Sequence, residues 1–200
     1  MSRAAVRHLK RADPVMRRII ERVGPYRIRY QDPGFTVLAR SIVFQQLNGT
    51  AAAAIFSRLE AACGHPGAGL RPEAVLRAPL RKIRAAGLSA RKAAYVRDLA
   101  RRTCRGQLPL EALGDLPDEK VIATLTEVKG IGLWTAQIFL MFALRRPNVL
   151  VEGDYGVRAA LRKAYGLDEL PNAAEVRRIA TPWHPWCSAA CWYLWQSLKL

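Results

Sequence analysis

Acidic residues are scarce in this chain: 16 Asp and Glu stand against 32 Lys and Arg in 200 residues, a formal charge of +16. Lysine is scarce too, with 7 Lys against 25 Arg. That balance points away from a basic partner and toward a polyanion, because the planar guanidinium fork suits phosphate better than a point charge does. Cysteine is limited to Cys63, Cys104, Cys187 and Cys191, with no tight CxxC pair and His184 the only imidazole near the last two. A disulfide framework and a zinc site are therefore not expected, and the thiols read as core residues of a reducing compartment. No window approaches the roughly 18 apolar residues of a membrane span. The start, MSRAAVRHLKRADP, has no apolar signal core and runs straight into a helical pattern, so it reads as part of the domain. Period-two alternation is nearly absent. The stretch VLVE at 149–152 could be extended but is bounded too closely to seed a sheet.

Helical spacing fills most of the rest. Leu38 and Ile42, then Ile55, Phe56, Leu59 and Ala62, recur at three and four on either side of Asn48-Gly49, which predicts helices over 34–46 and 49–63. His65-Pro66-Gly67 and Gly69 stop the second. Residues 72–105 predict two or three short helices with a turn at Gly87-Leu88-Ser89, and the stretch 71–105 carries eleven basic residues but only two acids, Glu73 and Asp98. This stretch is either a phosphate-facing surface or a solvated helix face. Pro117 with Asp118 and Glu119 opens a helix running to about Val128. Another runs from about Gly132 to Leu144, and Asp154-Tyr155 opens a third. The expectation is an all-α protein of about ten helices.

Residues 128–136 read VKGIGLWTA. A hairpin of two helices joined by Gly-Ile-Gly leaves backbone N–H groups free at the second helix's N-terminus, where the dipole favours a phosphate oxygen. Gly130 and Gly132 would let a nucleic-acid backbone approach and would allow positive φ. Ile131 is the apolar peg between the helices, and Lys129 adds a flexible charge. A purely structural turn would use the same glycines.

The wider pattern resembles a known family. LTEVKGIGLWTAQIFLMFA followed by VEGDYGVRAAL is similar to the helix-hairpin-helix DNA glycosylases, and FTVLARSIVFQQLNGTAAAAIFSRL, IRAAGLSARKAAYVRDLA and WHPWCSAACWYLW match other segments of that family in order. Within it the alkylated-base branch, typified by bacterial 3-methyladenine DNA glycosylase II, is the nearest likeness. The resemblance implies a single unit over 1–200 made of two helical lobes with a DNA cleft between them, the hairpin at about 118–144, and no separate N-terminal sheet domain. It places Asp154 at the catalytic aspartate. Lys129, Gly130, Ile131, Gly132 and Thr135 fall on the segment that grips the DNA backbone. Thr126, Val128 and Ile131 fall where main-chain carbonyls hold a monovalent or similar cation. Trp134 stands where lyase-competent relatives keep a nucleophilic lysine, which implies a monofunctional enzyme. The chain departs from the pattern at Lys129, usually proline, and at Gly153, an aspartate in well-known relatives. The four-cysteine cluster pattern of other branches is missing, so neither an iron–sulfur cluster nor another required cofactor is expected. The implied partner is double-stranded DNA carrying alkylated bases, engaged by a monomer in the cytoplasm, at the nucleoid in a bacterium.

The residues can be read against that chemistry. A base is reached at its glycosidic bond only once its nucleotide is flipped out of the duplex. Gln46 and Leu47 are the candidates to fill the gap, with Gln45 beside the pocket; the other reading of the glutamine pair is a buried helix cap. Trp134 and Trp195, with Trp192 and Tyr193 near, would stack on a flipped base, and a cationic methylated purine gains about 0.5–2 kcal/mol on an indole face. Trp183 and Trp186 read as core. Asp154 would stabilise the charge that grows on the sugar and orient the attacking water, and it can cap the helix after it as well. A non-catalytic hairpin module would need the glycines but neither Asp154 nor the aromatic pocket. With an indole at position 134, borohydride added during incubation with damaged DNA should trap no covalent adduct; a trapped adduct would show lyase chemistry instead.

Overall fold

The computed structural model describes residues 2–64, 66–67 and 69–200; Met1, His65 and Ala68 lie outside them, so the expected stop at His65 is not described. The described residues form twelve α-helices and no strand: α1 Ser2–Ala12, α2 Pro14–Val23, α3 Phe35–Phe44, α4 Gly49–Ala62, α5 Pro72–Arg77, α6 Leu80–Ala85, α7 Ala90–Cys104, α8 Asp118–Thr126, α9 Leu133–Phe142, α10 Tyr155–Tyr165, α11 Ala173–Ala180 and α12 Cys187–Ser197. Short 3₁₀ turns lie at Ala112–Asp115 and Thr181–Trp183. The all-helical expectation holds. There are more helices than about ten because prolines divide the apolar pattern into short pieces, with Pro14 and Pro72 opening α2 and α5 and Pro79 standing at the N-cap of α6. Among the described residues no helix is long and apolar enough to cross a membrane.

The chain divides into two compact units, Met1–Tyr30 with Leu140–Leu200, and Gln31–Phe139. In the first, α12 packs against α2 and α10, and α1 lies along α2. α12 is apolar all round, and Cys187 through Leu194 are all buried, as a helix at the centre of a layer must be. Trp183 is fully buried as expected; Trp186, at the N-cap of α12, is only half-buried. Trp192 and Tyr193 belong to the core rather than to a base pocket. They cluster with Tyr26, whose ring centroid is 4.8 Å from Trp192 and 5.8 Å from Tyr193. Burial pushes the thiols of Cys187 and Cys191 up to about 12, so both are inert core groups, whereas Cys104 is exposed.

In the second unit α7 is the central helix, packed against α3, α5 and α6, while α3 also packs on α4. Val96, Leu99, Leu38, Ile42, Leu59 and Ile83 fill this core. α7 starts at Ser89, whose hydroxyl accepts the Lys92 N–H at 3.2 Å.

One buried acid ties the first unit together. Asp13 caps α2 through the N–H groups of Val15 and Met16, and its other oxygen accepts the Tyr165 hydroxyl and, at 2.9 Å, Trp183 Nε1. Four donors thus converge on this 5 % exposed carboxylate. Asp13→Ala should therefore cost about 3 kcal/mol, because it orphans a buried indole, a half-buried phenol and a helix cap together; a chemical-denaturation curve checks this.

Candidate active site

Asp154 lies at the end of a loop that begins after α9, and α12 holds this loop from beneath. Ser188 Oγ donates to the Arg146 carbonyl at 2.7 Å and accepts the Val149 N–H at 3.0 Å, while the Ser188 N–H donates to the Pro147 carbonyl at 3.1 Å. Three and seven residues further along, Cys191 Sγ lies 3.9 Å from the Val149 carbonyl and Trp195 Nε1 donates to Asp154 Oδ1 at 2.7 Å. This spacing puts all three side chains on one face of α12. Asp154 is also the N-cap of α10, with the Val157 N–H donating to the same Oδ1 at 2.8 Å. The orientation of this carboxylate is thus fixed by two donors on one oxygen.

Trp195 has a different task from the one expected. Its indole stacks on Phe142, with centroids 6.1 Å apart and an interplanar angle of 26°, and its N–H is committed to Asp154. It orients the acid. Gly156, which carries no signal in the sequence pattern, makes the approach possible. A Cβ there would lie 3.0 Å from Trp195 Cδ1 and 3.1 Å from Asp154 Oδ1. Beside it, Tyr155 is 73 % exposed in the first turn of α10. This exposed aromatic next to the acid was legible as the Y of DYG.

The hairpin runs from α8 to α9 in the second unit. Gly130 has φ +89°, and a Cβ on it would meet the Tyr95 ring at 2.2 Å, so both backbone and packing demand glycine there. Gly132 is different: its φ is not positive and a Cβ would meet nothing within 4 Å. It stands just before Leu133, at the mouth of α9, whose first N–H groups lack intrahelical acceptors and lie open to an outside group. Ile131 is buried as the expected peg, and its N–H donates to the Val128 carbonyl at 3.0 Å. Thr135 is 5 % exposed, so its side chain faces inward and its N–H is the group suited to a backbone contact. Lys129 is exposed, while its N–H is held by Asp98 Oδ2 at 3.2 Å. Thr126 is exposed and Val128 buried, and the Thr126 hydroxyl turns back onto the Ile122 carbonyl at 2.8 Å. Leu133 and Trp134, in the first turn of α9, are 52 % and 48 % exposed.

The turn after α3 faces the same hairpin. The Gln45 amide is engaged there: its Nε2 donates to the Gly130 carbonyl at 2.7 Å. Lys92 Nζ donates to the Val43 and Gln45 carbonyls at 2.7 and 2.5 Å, and burial, then the neighbouring Arg91 charge, draw its pKa below the usual lysine value. Gln46 follows with φ +56°, uncommon without glycine, and Leu47 is 41 % exposed. The turn thus presents Gln46 and Leu47 outward. Gln45, Gln46, Arg91, Lys92, Tyr95 and residues 130–132 line a cavity of about 380 Å³. Among the described residues no group of three or more His, Cys, Asp or Glu could hold a metal ion.

Residues 39–185 match the HhH-GPD superfamily of base excision DNA repair proteins. The chain belongs to that superfamily. It is 33 % identical to DNA-3-methyladenine glycosylase 1 of Schizosaccharomyces pombe over 96 % of this chain and 86 % of that protein. A solved S. pombe 3-methyladenine DNA glycosylase in complex with abasic DNA superimposes with a TM-score of 0.88 at 32 % identity, covering 98 % and 97 % of the two chains. A DNA-3-methyladenine glycosidase from Bacillus halodurans gives 0.86 at 34 %, covering 96 % and 87 %.

Two expectations follow from the site geometry. Trp195→Phe keeps an aromatic ring, though a smaller one, and removes one charge-assisted hydrogen bond, so single-turnover base release should fall roughly ten- to hundredfold with DNA affinity unchanged. Gly132→Asp, placed where a Cβ meets open space, should leave the melting temperature alone and weaken binding equally for unrelated duplex sequences, as a phosphate contact requires; a loss that varies with sequence would contradict it.

Proposed function

We propose that this chain is a monofunctional DNA glycosylase that acts as a monomer on double-stranded DNA and hydrolyses the N-glycosidic bond of alkylated purines such as 3-methyladenine and 7-methylguanine. The observation that carries this reading is the carboxylate of Asp154, oriented by Trp195 Nε1 and the Val157 N–H on one oxygen with Gly156 clearing the space beside it. A DNA-binding module would need Asp154 only as the cap of α10, not a distant indole locking the same oxygen. Family membership and the two alkylated-base relatives supply the substrate class.

The chemistry follows from the residues. The first turn of α9 and Lys129 take a backbone phosphate. Gln46 or Leu47 occupies the space that the flipped nucleotide leaves. Methylation gives the purine a positive charge, which weakens its bond to the sugar, and an exposed indole such as Trp134 favours the cation over a neutral base. As the bond lengthens, the fixed anion of Asp154 stabilises the charge growing on the sugar and orients the water that completes the reaction. With an indole at position 134 the nucleophile is water and not an amine. The reaction needs no cofactor or iron–sulfur cluster. The carbonyls of Thr126, Val128 and Ile131 are hard oxygen donors of the kind a monovalent or similar cation accepts, and an ion there would add positive charge beneath a phosphate.

The test is release of free base from duplex DNA carrying 3-methyladenine or 7-methylguanine, scored as abasic sites, with EDTA present. Wild-type protein should release base, and Asp154→Asn should lose at least roughly a hundredfold, the scale set by removing a group that stabilises developing charge. A wild type that binds damaged duplex and releases nothing would make this a binding module; full activity in Asp154→Asn would overturn the mechanism.

A further inference from the structure

The basic stretch 71–105 has a part that the proposed reaction does not absorb. Three side chains one helical turn apart on α7 hold the two segments that meet DNA in that reading. Lys92 donates to the Val43 and Gln45 carbonyls and so caps the C-terminus of α3, fixing where Gln46 and Leu47 emerge. Tyr95 fills the space over the Gly130 Cα, where a Cβ would lie 2.2 to 2.8 Å from its ring. Asp98 accepts the Lys129 N–H at 3.2 Å, and is itself steadied by Arg102 Nε at 3.2 Å and Arg101 Nη1 at 3.4 Å. Its side chain is only 14 % exposed, and it is one of two acids among eleven basic residues. Gln45 closes the frame by donating to the Gly130 carbonyl. The 45–47 turn and the 128–132 hairpin are therefore bolted to one helix and to each other.

We propose that Lys92, Tyr95 and Asp98 are positioning residues that keep the wedge turn and the phosphate-gripping hairpin at one fixed separation, so that insertion into the duplex and grip on its backbone occur as a single event. The proposal rests on the glycosylase reading above. A fixed spacing matters because the strand itself sets the distance between a vacated stack and a neighbouring phosphate. A turn free to shift would be inserted at the cost of losing the grip.

Double-mutant cycles test it, with single-turnover release of 7-methylguanine from duplex DNA as the rate and undamaged duplex for affinity. Lys92→Met should slow release by roughly tenfold or more, the scale of a lost hydrogen bond to a charged group. That loss should vanish in a Gln46→Ala/Leu47→Ala background, because Lys92 acts only through the turn. Asp98→Asn should weaken DNA binding, and its effect should vanish in a Gly132→Asp background. Equal losses in both backgrounds, or no loss in either variant, would overturn the inference while leaving the glycosylase intact. Should one variant fail to fold, as a thermal melt would show, the other cycle decides alone. A wild type that releases no base would remove the reading beneath both.

Discussion

The hydrogen bond from Trp195 Nε1 to Asp154 Oδ1, 2.7 Å long, is the contact on which the rest of the site depends. A carboxylate stabilises a developing charge only if it is already in place when the charge appears, since an acid that must reorient gives back much of what it contributes. Asp154 sits after a loop, where backbone freedom is greatest. The constraint comes from α12, a helix buried over most of its length. Ser188 and Cys191 secure the loop's main chain upstream of the acid, and the indole secures the acid itself. Gly156 completes the arrangement by having no side chain, because a methyl group there would press on both partners.

The same device recurs in the second unit. There α7 is the supporting helix, and the segments it supports are the α3–α4 turn and the hairpin. Both helices are core elements with a slanted stripe of side chains that ends on loop backbone. Buried or half-buried loop carbonyls and N–H groups must find partners. A helix with a polar atom every three or four residues supplies them at regular intervals. Satisfying the backbone and positioning the functional groups are thus one task, so the residues that perform it need touch no substrate. The +16 charge has a matching division: most arginines face solvent and suit phosphate, whereas Asp98, almost alone in its stretch, holds the hairpin.

Much of this was legible locally. The hairpin glycines, Asp154 at a helix start and the indole at position 134 are adjacent in sequence to the elements that use them, so spacing located them and the family resemblance implied their roles. Ile131 and Trp183 were legible as core because burial follows apolar pattern. Trp192, Tyr193 and Trp195 were not separable by the same reasoning. All three lie on one apolar helix, and which of them faces a core or a carboxylate depends on neighbours far away in the chain. Gly130 and Gly132 read alike as letters, yet one answers to Tyr95 and a positive φ, the other to open space. Thr135 reads as a polar residue at a helix mouth and is nonetheless buried.

By itself, then, the sequence determined the helical class, a charge balance suited to a polyanion, and the side chains available for chemistry: a carboxylate, an indole and a pair of glycines at a helix mouth. These are local properties, set by side-chain type and by periods of three and four. Only the tertiary structure decided which groups hold which. Lys92 reaching carbonyls 49 and 47 residues away, Gln45 reaching Gly130 and Trp195 reaching Asp154 all join segments far apart in sequence. No periodicity encodes such pairs, because a hydrogen bond depends on where two atoms meet in space and not on how far apart they stand along the chain.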